Sequence, residues 1–73
     1  MGEMRDIRVT QEPIELYKLL KLESLVASGG EAKHVIAEGC VTVNGHVETQ
    51  KRKKIVSGDI VEFGGERLRI HLA

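Results

Sequence analysis

Ser28-Gly-Gly-Glu-Ala-Lys-His-Val-Ile-Ala-Glu-Gly39, then Cys40, then Val41-Thr-Val-Asn-Gly-His-Val47: reading this stretch decides the fold. Ser28 and Glu31 have the spacing of a capping box, in which the serine hydroxyl accepts from the Glu31 amide and the Glu31 carboxylate returns to the serine amide. The helix they predict turns Ala32, Val35 and Ile36 inward and leaves Lys33, Ala37 and Glu38 outward, with Lys33 in its first turn. Gly39 suits the left-handed position just past a helix end. Val41 and Val43 then alternate with Thr42, and Asn44-Gly45 is the strongest short-range hairpin signal, because both central positions of a type I′ turn need positive φ. His46, Val47 and Glu48 return as the second strand.

Upstream, Met4, Ile7 and Val9 alternate loosely and predict a short edge strand. Thr10-Gln-Glu-Pro13 reads as the opening of a first helix, since proline fits a first turn and acids favour its positive end. Leu16, Leu19 and Leu20 follow at helical spacing with Ile14 and Tyr17 beside them, while Lys18 and Lys21 fall away from that stripe. Leu25 and Val26 mark a corner, so the two helices form a helix-turn-helix-like unit.

Downstream, Gln50 to Lys54 lacks apolar periodicity and reads as an exposed loop. Ile55-Val56 re-enters the core, Ser57-Gly-Asp59 turns, Ile60 to Phe63 is a strand, and Gly64-Gly65 turns again. Leu68, Ile70 and Leu72 alternate with Arg67, Arg69 and His71, the pattern of a half-buried strand. The fold class is α+β: two short helices packed on a small, mostly antiparallel sheet, forming one domain over residues 1–73.

The formal net charge of the 73 residues is zero. A chain that binds nucleic acid is usually basic overall, so the placement of charge matters. Residues 1–32 hold four basic and six acidic side chains, residues 33–54 five and two, and residues 55–73 two and three. The middle segment is therefore cationic, and a local patch can steer a polyanion even on a neutral chain. Its centre is the run Lys51-Arg-Lys-Lys54, whose phosphate contacts would release counterions. Lys33 stands near a helix start, where exposed amides favour an anion, and Gly29 and Gly30 leave room for a backbone to approach.

Other chemistries find little support. Cys40 is the only cysteine, so no internal disulfide is available, and a reducing, cytoplasmic setting is expected. Cys40 and His34 are near in sequence, but no third orienting group accompanies them. The histidines are scattered and no metal or cofactor is expected. Apolar runs are far below the roughly 20 residues that span a bilayer. Tyr17 and Phe63 are the only large aromatics and read as core, which argues against single-strand recognition by base stacking.

The ordered series Ser28-Gly-Gly-Glu-Ala-Lys33, Val-Ile36, Gly39, Val41-Thr-Val-Asn-Gly45 and Ser57-Gly-Asp59 resembles the alpha-L RNA-binding motif, the domain type named after small-subunit ribosomal protein four. It is similar to modules in pseudouridine synthases, some tyrosyl-tRNA synthetases and a ribosome-associated heat-shock protein, and looks most like short stand-alone bacterial members. The resemblance covers residues 13–63. It implies binding of structured RNA, ribosomal or transfer, without catalysis, with ribosomal or RNA-processing proteins as further partners. The implied face would hold Ser28, Lys33 and the positions around Asn44-Gly45, and Gly29 and His34 are further candidates for RNA contact. Many family members carry Arg directly after the serine, where this chain has Gly29. Lys51, Arg52, Lys53 and Lys54 would supply the phosphate contacts, extended by Lys18 and Lys21 on the first helix. The expected state is a monomer. The rival is an assembly module built on the acid-rich first helix (Glu12, Glu15, Glu23) and the alternating last strand. A ubiquitin-like sulfur carrier, suggested by Gly64-Gly65, would need that pair at the extreme C-terminus, whereas Glu66 to Ala73 follow it.

Overall fold

The computed structural model describes residues 3–73. Met1 and Gly2, the start of the expected 1–73 domain, lie outside the described residues. In chain order the elements are β1 (Met4–Val9), β2 (Ile14–Glu15), α1 (Leu16–Leu22), α2 (Gly29–Ala37), β3 (Thr42–Val43), β4 (His46–Val47), β5 (Lys54–Ile55), β6 (Ile60–Phe63) and β7 (Glu66–Leu72). Among the described residues, five strands form one sheet in the order β1-β7-β6-β3-β4, while β2 and β5 form a separate two-stranded ribbon. Every pairing is antiparallel except that of β1 with β7. The α+β architecture of two helices on a small, mostly antiparallel sheet is as expected.

Strand alternation sets which side faces the helices. Ile7 and Val9 of β1, Val61 of β6, and Leu68 and Ile70 of β7 are buried together with Leu16, Leu19, Leu20, Ala32 and Ile36 of the helices. Val41, Val43, Ile55 and Val26 complete this cluster. Two residues expected inside are not: Val56 and Leu72 are exposed. Leu72 is the last residue of β7, and Val56 follows just past the end of β5.

The second helix forms as its sequence dictates. The Ser28 hydroxyl accepts from the Glu31 amide at 3.1 Å. The reciprocal bond differs by one residue, since the Glu31 carboxylate accepts from the Ala27 amide at 2.7 Å rather than from that of Ser28. Lys33 is the fifth residue of α2, one step beyond the first turn. Both helices close on a residue with positive φ, Ser24 at 59° and Gly39 at 78°. In each, the following amide reaches back five residues (Leu25 to the Leu20 carbonyl, Cys40 to that of Val35), each at 3.0 Å.

The first helix starts later than its sequence suggests. Pro13 is not in its first turn; Ile14 and Glu15 are extended and pair with Ile55 and Lys54. The reason is non-local. Backbone groups of the Lys51–Lys54 segment lie alongside and satisfy the chain as strand and cap, and Glu15 at the N-cap position makes no side-chain capping bond.

The β3–β4 hairpin turns on Asn44 (φ 52°) and Gly45 (φ 84°), the two positive values that a type I′ turn requires. The Asn44 side chain also stitches this turn to the next one. Its amide nitrogen donates to Asp59 at 3.0 Å, and its oxygen accepts from the Ile60 amide at 2.9 Å. The other Asp59 oxygen accepts from the Val56 amide at 2.9 Å, which shapes the Ser57-Gly58 turn.

Candidate nucleic-acid interface

The outward side of α2 and the loop after β4 form a groove of about 410 Å³ lined by Lys33, Ala37, Thr49, Gln50, Lys51 and Arg52. The loop is fixed through its backbone. The Leu16 amide donates to the Lys53 carbonyl at 2.9 Å, and the Tyr17 amide to the Lys51 carbonyl at 3.1 Å. These amides belong to the set that every helix start leaves without an intrahelical partner. The Gln50 amide donates to the Glu48 carboxylate at 3.0 Å, and the Lys53 amide to the Gln50 carbonyl at 3.1 Å. With its backbone so held, the loop leaves Lys51, Arg52, Lys53 and Lys54 exposed.

Several charged or titratable groups outside the groove stand beside acids. Arg5 lies 2.9 Å from Glu66 and 3.8 Å from Glu23, Arg67 is 3.5 Å from Glu62, and His71 is 2.9 Å from Asp6. Lys33 and Lys51 to Lys54 have no carboxylate within ion-pair distance among the described residues. Lys18 is the exception among the residues expected here, because Glu15 one turn earlier holds it at 3.3 Å. That acid also stands opposite Lys54 in the ribbon register.

Tyr17 packs against the core, as its sequence suggests, but at its edge. It is half-buried, with the Lys33 ammonium 4.8 Å and the Lys18 ammonium 5.9 Å from its ring centroid. A Cβ placed on Gly29 would stand 4.0 Å from the Tyr17 Cδ2. The ring therefore lies where α1, the start of α2 and the groove meet.

The remaining expected residues spread out from this centre. Gly29 opens α2, and the Ser28 hydroxyl caps it. His34 is exposed on α2 but does not line the groove. Lys21 lines a different depression, with Ser24, Leu25, Val26, Ala27 and Glu31. Both ends of the Asn44 amide are engaged within the fold. Sequence reasoning did not single out Ala37, Thr49 and Gln50 as groove residues; Ala37 carried a signal in its outward helix face one turn after Lys33, and Gln50 in its place at the start of the exposed loop, while Thr49 carried none. Cys40 is exposed and lines a depression between β3 and the Gly64-Gly65 turn that His34 does not reach. Among the described residues no three His, Cys, Asp or Glu side chains converge as a metal site, and no helix is long and apolar enough to cross a membrane.

Known proteins resemble this chain in sequence and fold. The model of the S4 domain family matches residues 7–71. YbcJ of Escherichia coli (strain K12) is 53% identical over 57 residues, covering 78% of this chain and 81% of that protein. The Bacillus subtilis (strain 168) protein named "Probable ribosome maturation protein RlbA" is 37% identical over 59 residues, covering 81% of this chain and 83% of its own. The solution structure of Escherichia coli YbcJ, described as revealing an alfaL motif involved in RNA-binding, superposes with a TM-score of 0.70 at 46% identity, covering 97% of this chain and 91% of that one.

Proposed function

We propose that this chain, which belongs to the S4 domain family, binds structured RNA and carries out no chemistry on it. One observation carries the reading. Lys33 of α2 and Lys51 and Arg52 of the loop line one groove, and none has a carboxylate in ion-pair range among the described residues. Such an arrangement presents rigidly spaced positive charge, which suits recognition of a folded RNA by its phosphate geometry. Lys53 and Lys54 extend the charge along the loop. The amides of Gly29 and Gly30, at a helix start, add donors on the same side. His34 follows Lys33 on α2, and Lys18 and Lys21 of α1 would add charge from outside the groove. The words attached to the relatives, RNA-binding for the motif of YbcJ and ribosome maturation for RlbA, support RNA as the partner and favour ribosomal over transfer RNA.

The assembly-module rival draws on the acids of the first helix, two of which are engaged: Glu15 with Lys18 and Glu23 with Arg5. The deciding experiment is a salt titration of the chain against ribosomal RNA fragments, with a pulldown before and after nuclease treatment. RNA binding predicts a log–log slope of roughly −2 to −4, from about 0.7–0.9 per phosphate contact. A slope near zero, with protein partners that survive nuclease, would give the molecule to the rival.

A further inference from the structure

We infer that Tyr17 is a positioning residue of the interface: its ring holds the Lys33 ammonium at the groove, while its backbone amide pins the basic loop beside it. The inference rests on the reading of that groove as an RNA seat. It deepens that reading by naming what organises the cations before RNA arrives.

The geometry converges on this one residue, the only tyrosine in the chain. Its amide donates to the Lys51 carbonyl at 3.1 Å, at the centre of the basic run. Its ring face lies 4.8 Å from the Lys33 ammonium, well inside the range in which a cation is attracted by an aromatic quadrupole. Lys18 is also near, but at 5.9 Å it stands at the edge of that range and Glu15 already holds it at 3.3 Å. The ring therefore governs Lys33. A lysine free in solvent samples many rotamers, and fixing it on a ligand costs affinity. Lys33 is instead held over a ring while it lines the groove, so part of its ordering precedes binding. An aliphatic side chain could fill the same half-buried volume, yet it has no π face to hold an ammonium.

The test is a double-mutant cycle on the full chain with ribosomal RNA fragments, accompanied by NMR of the free protein. Tyr17→Leu should weaken binding about two- to fivefold, the size of an exposed cation–π contact, with the urea midpoint retained. The same change in a Lys33→Gln background should have no further effect, and Tyr17→Phe should restore wild-type binding. Without RNA, the Lys33 ε-methylene protons should show an upfield ring-current shift that Tyr17→Leu abolishes and Tyr17→Phe keeps. Equal losses in both Lys33 backgrounds, a Tyr17→Phe protein as weak as Tyr17→Leu, or no ring-current shift would each overturn the role. Wild-type binding that is indifferent to Tyr17→Leu would overturn it while leaving the groove reading intact. A wild-type protein with no salt-dependent RNA binding would instead overturn that reading, and this role with it.

Discussion

Two populations of cations share this molecule, and they differ in their company. On the strands, Arg5 and Arg67 have an acid at 2.9 and 3.5 Å, whereas Arg8 and Arg69 have none in ion-pair range among the described residues. Beside α2, Lys33 and Lys51 to Lys54 have none among the described residues. Exposed ion pairs add little stability, so the chief effect of the strand pairs is to mute their own field. The groove cations keep theirs, and field is what gathers a polyanion. The contrast explains how a chain of zero net charge can present a basic surface. Neutrality is a sum over the molecule, and residues 33–54 alone hold five basic against two acidic side chains.

Mutations can break or sharpen the contrast. The largest effect is expected from Lys51, Arg52 and Lys54 replaced together by Ala. Losing three phosphate contacts at roughly 0.7–0.9 each should flatten the salt slope by about 2–3 and weaken binding around a hundredfold at 0.1 M salt. An unchanged slope in a filter-binding titration would erase the distinction between the two populations. Next comes Asn44→Ala, which removes two hydrogen bonds at a residue with φ 52°. It should lower unfolding free energy by about 1–3 kcal/mol in urea and leave the salt slope alone, separating residues that build the site from those that meet its ligand. Arg67→Ala should cost about 0.2–1 kcal/mol, again with no change of slope, and a slope that drops would show that the strand cations also reach the RNA.

The smallest effect concerns pH. The His71 hydrogen bond at 2.9 Å, aided by the charges of His71, Arg69 and Arg8, holds the Asp6 carboxyl below its ordinary value of 3.8. A carboxyl depressed in the folded state stabilises the fold above its unfolded pKa, and that contribution is lost as pH falls through the folded value. Asp6→Asn should therefore make the acid limb of a stability–pH curve shallower below about pH 4, with the neutral region little changed. An acid limb identical to wild type would show that the pair has no such influence.

What was legible in the sequence was local. The Ser28–Glu31 spacing, the Asn44-Gly45 turn, the leucine stripe of α1 and the alternation of β7 each encode their structure within a few residues. The charge run of the groove was legible for the same reason. The pairing of Ile14 and Glu15 with a segment some forty residues later was not, because nothing near Pro13 states that Lys54 and Ile55 lie alongside. The double duty of Asn44 was hidden likewise, since its partners Asp59 and Ile60 become neighbours only when the turns stack. The apolar neighbours of Tyr17 correctly placed it against the core, but they gave no sign of the lysine that reaches its ring from another helix. The pairing of Lys18 with Glu15 was open to a local reading, since an acid at the cap position lies within reach of a base in the first turn.

The parallel pairing of β1 with β7 has a consequence for synthesis. Asp6 and His71, which meet across it, are 65 residues apart, so the opening strand has no neighbour in the sheet until the last one has been made. During translation the helices and the hairpins can form early, while Met4–Val9 waits as an unsatisfied edge. Contacts of such long sequence separation slow folding and leave edges open to aggregation. A fragment that ends before Glu66 should therefore be cut readily within Met4–Val9, whereas the same segment in the chain that includes β7 should resist.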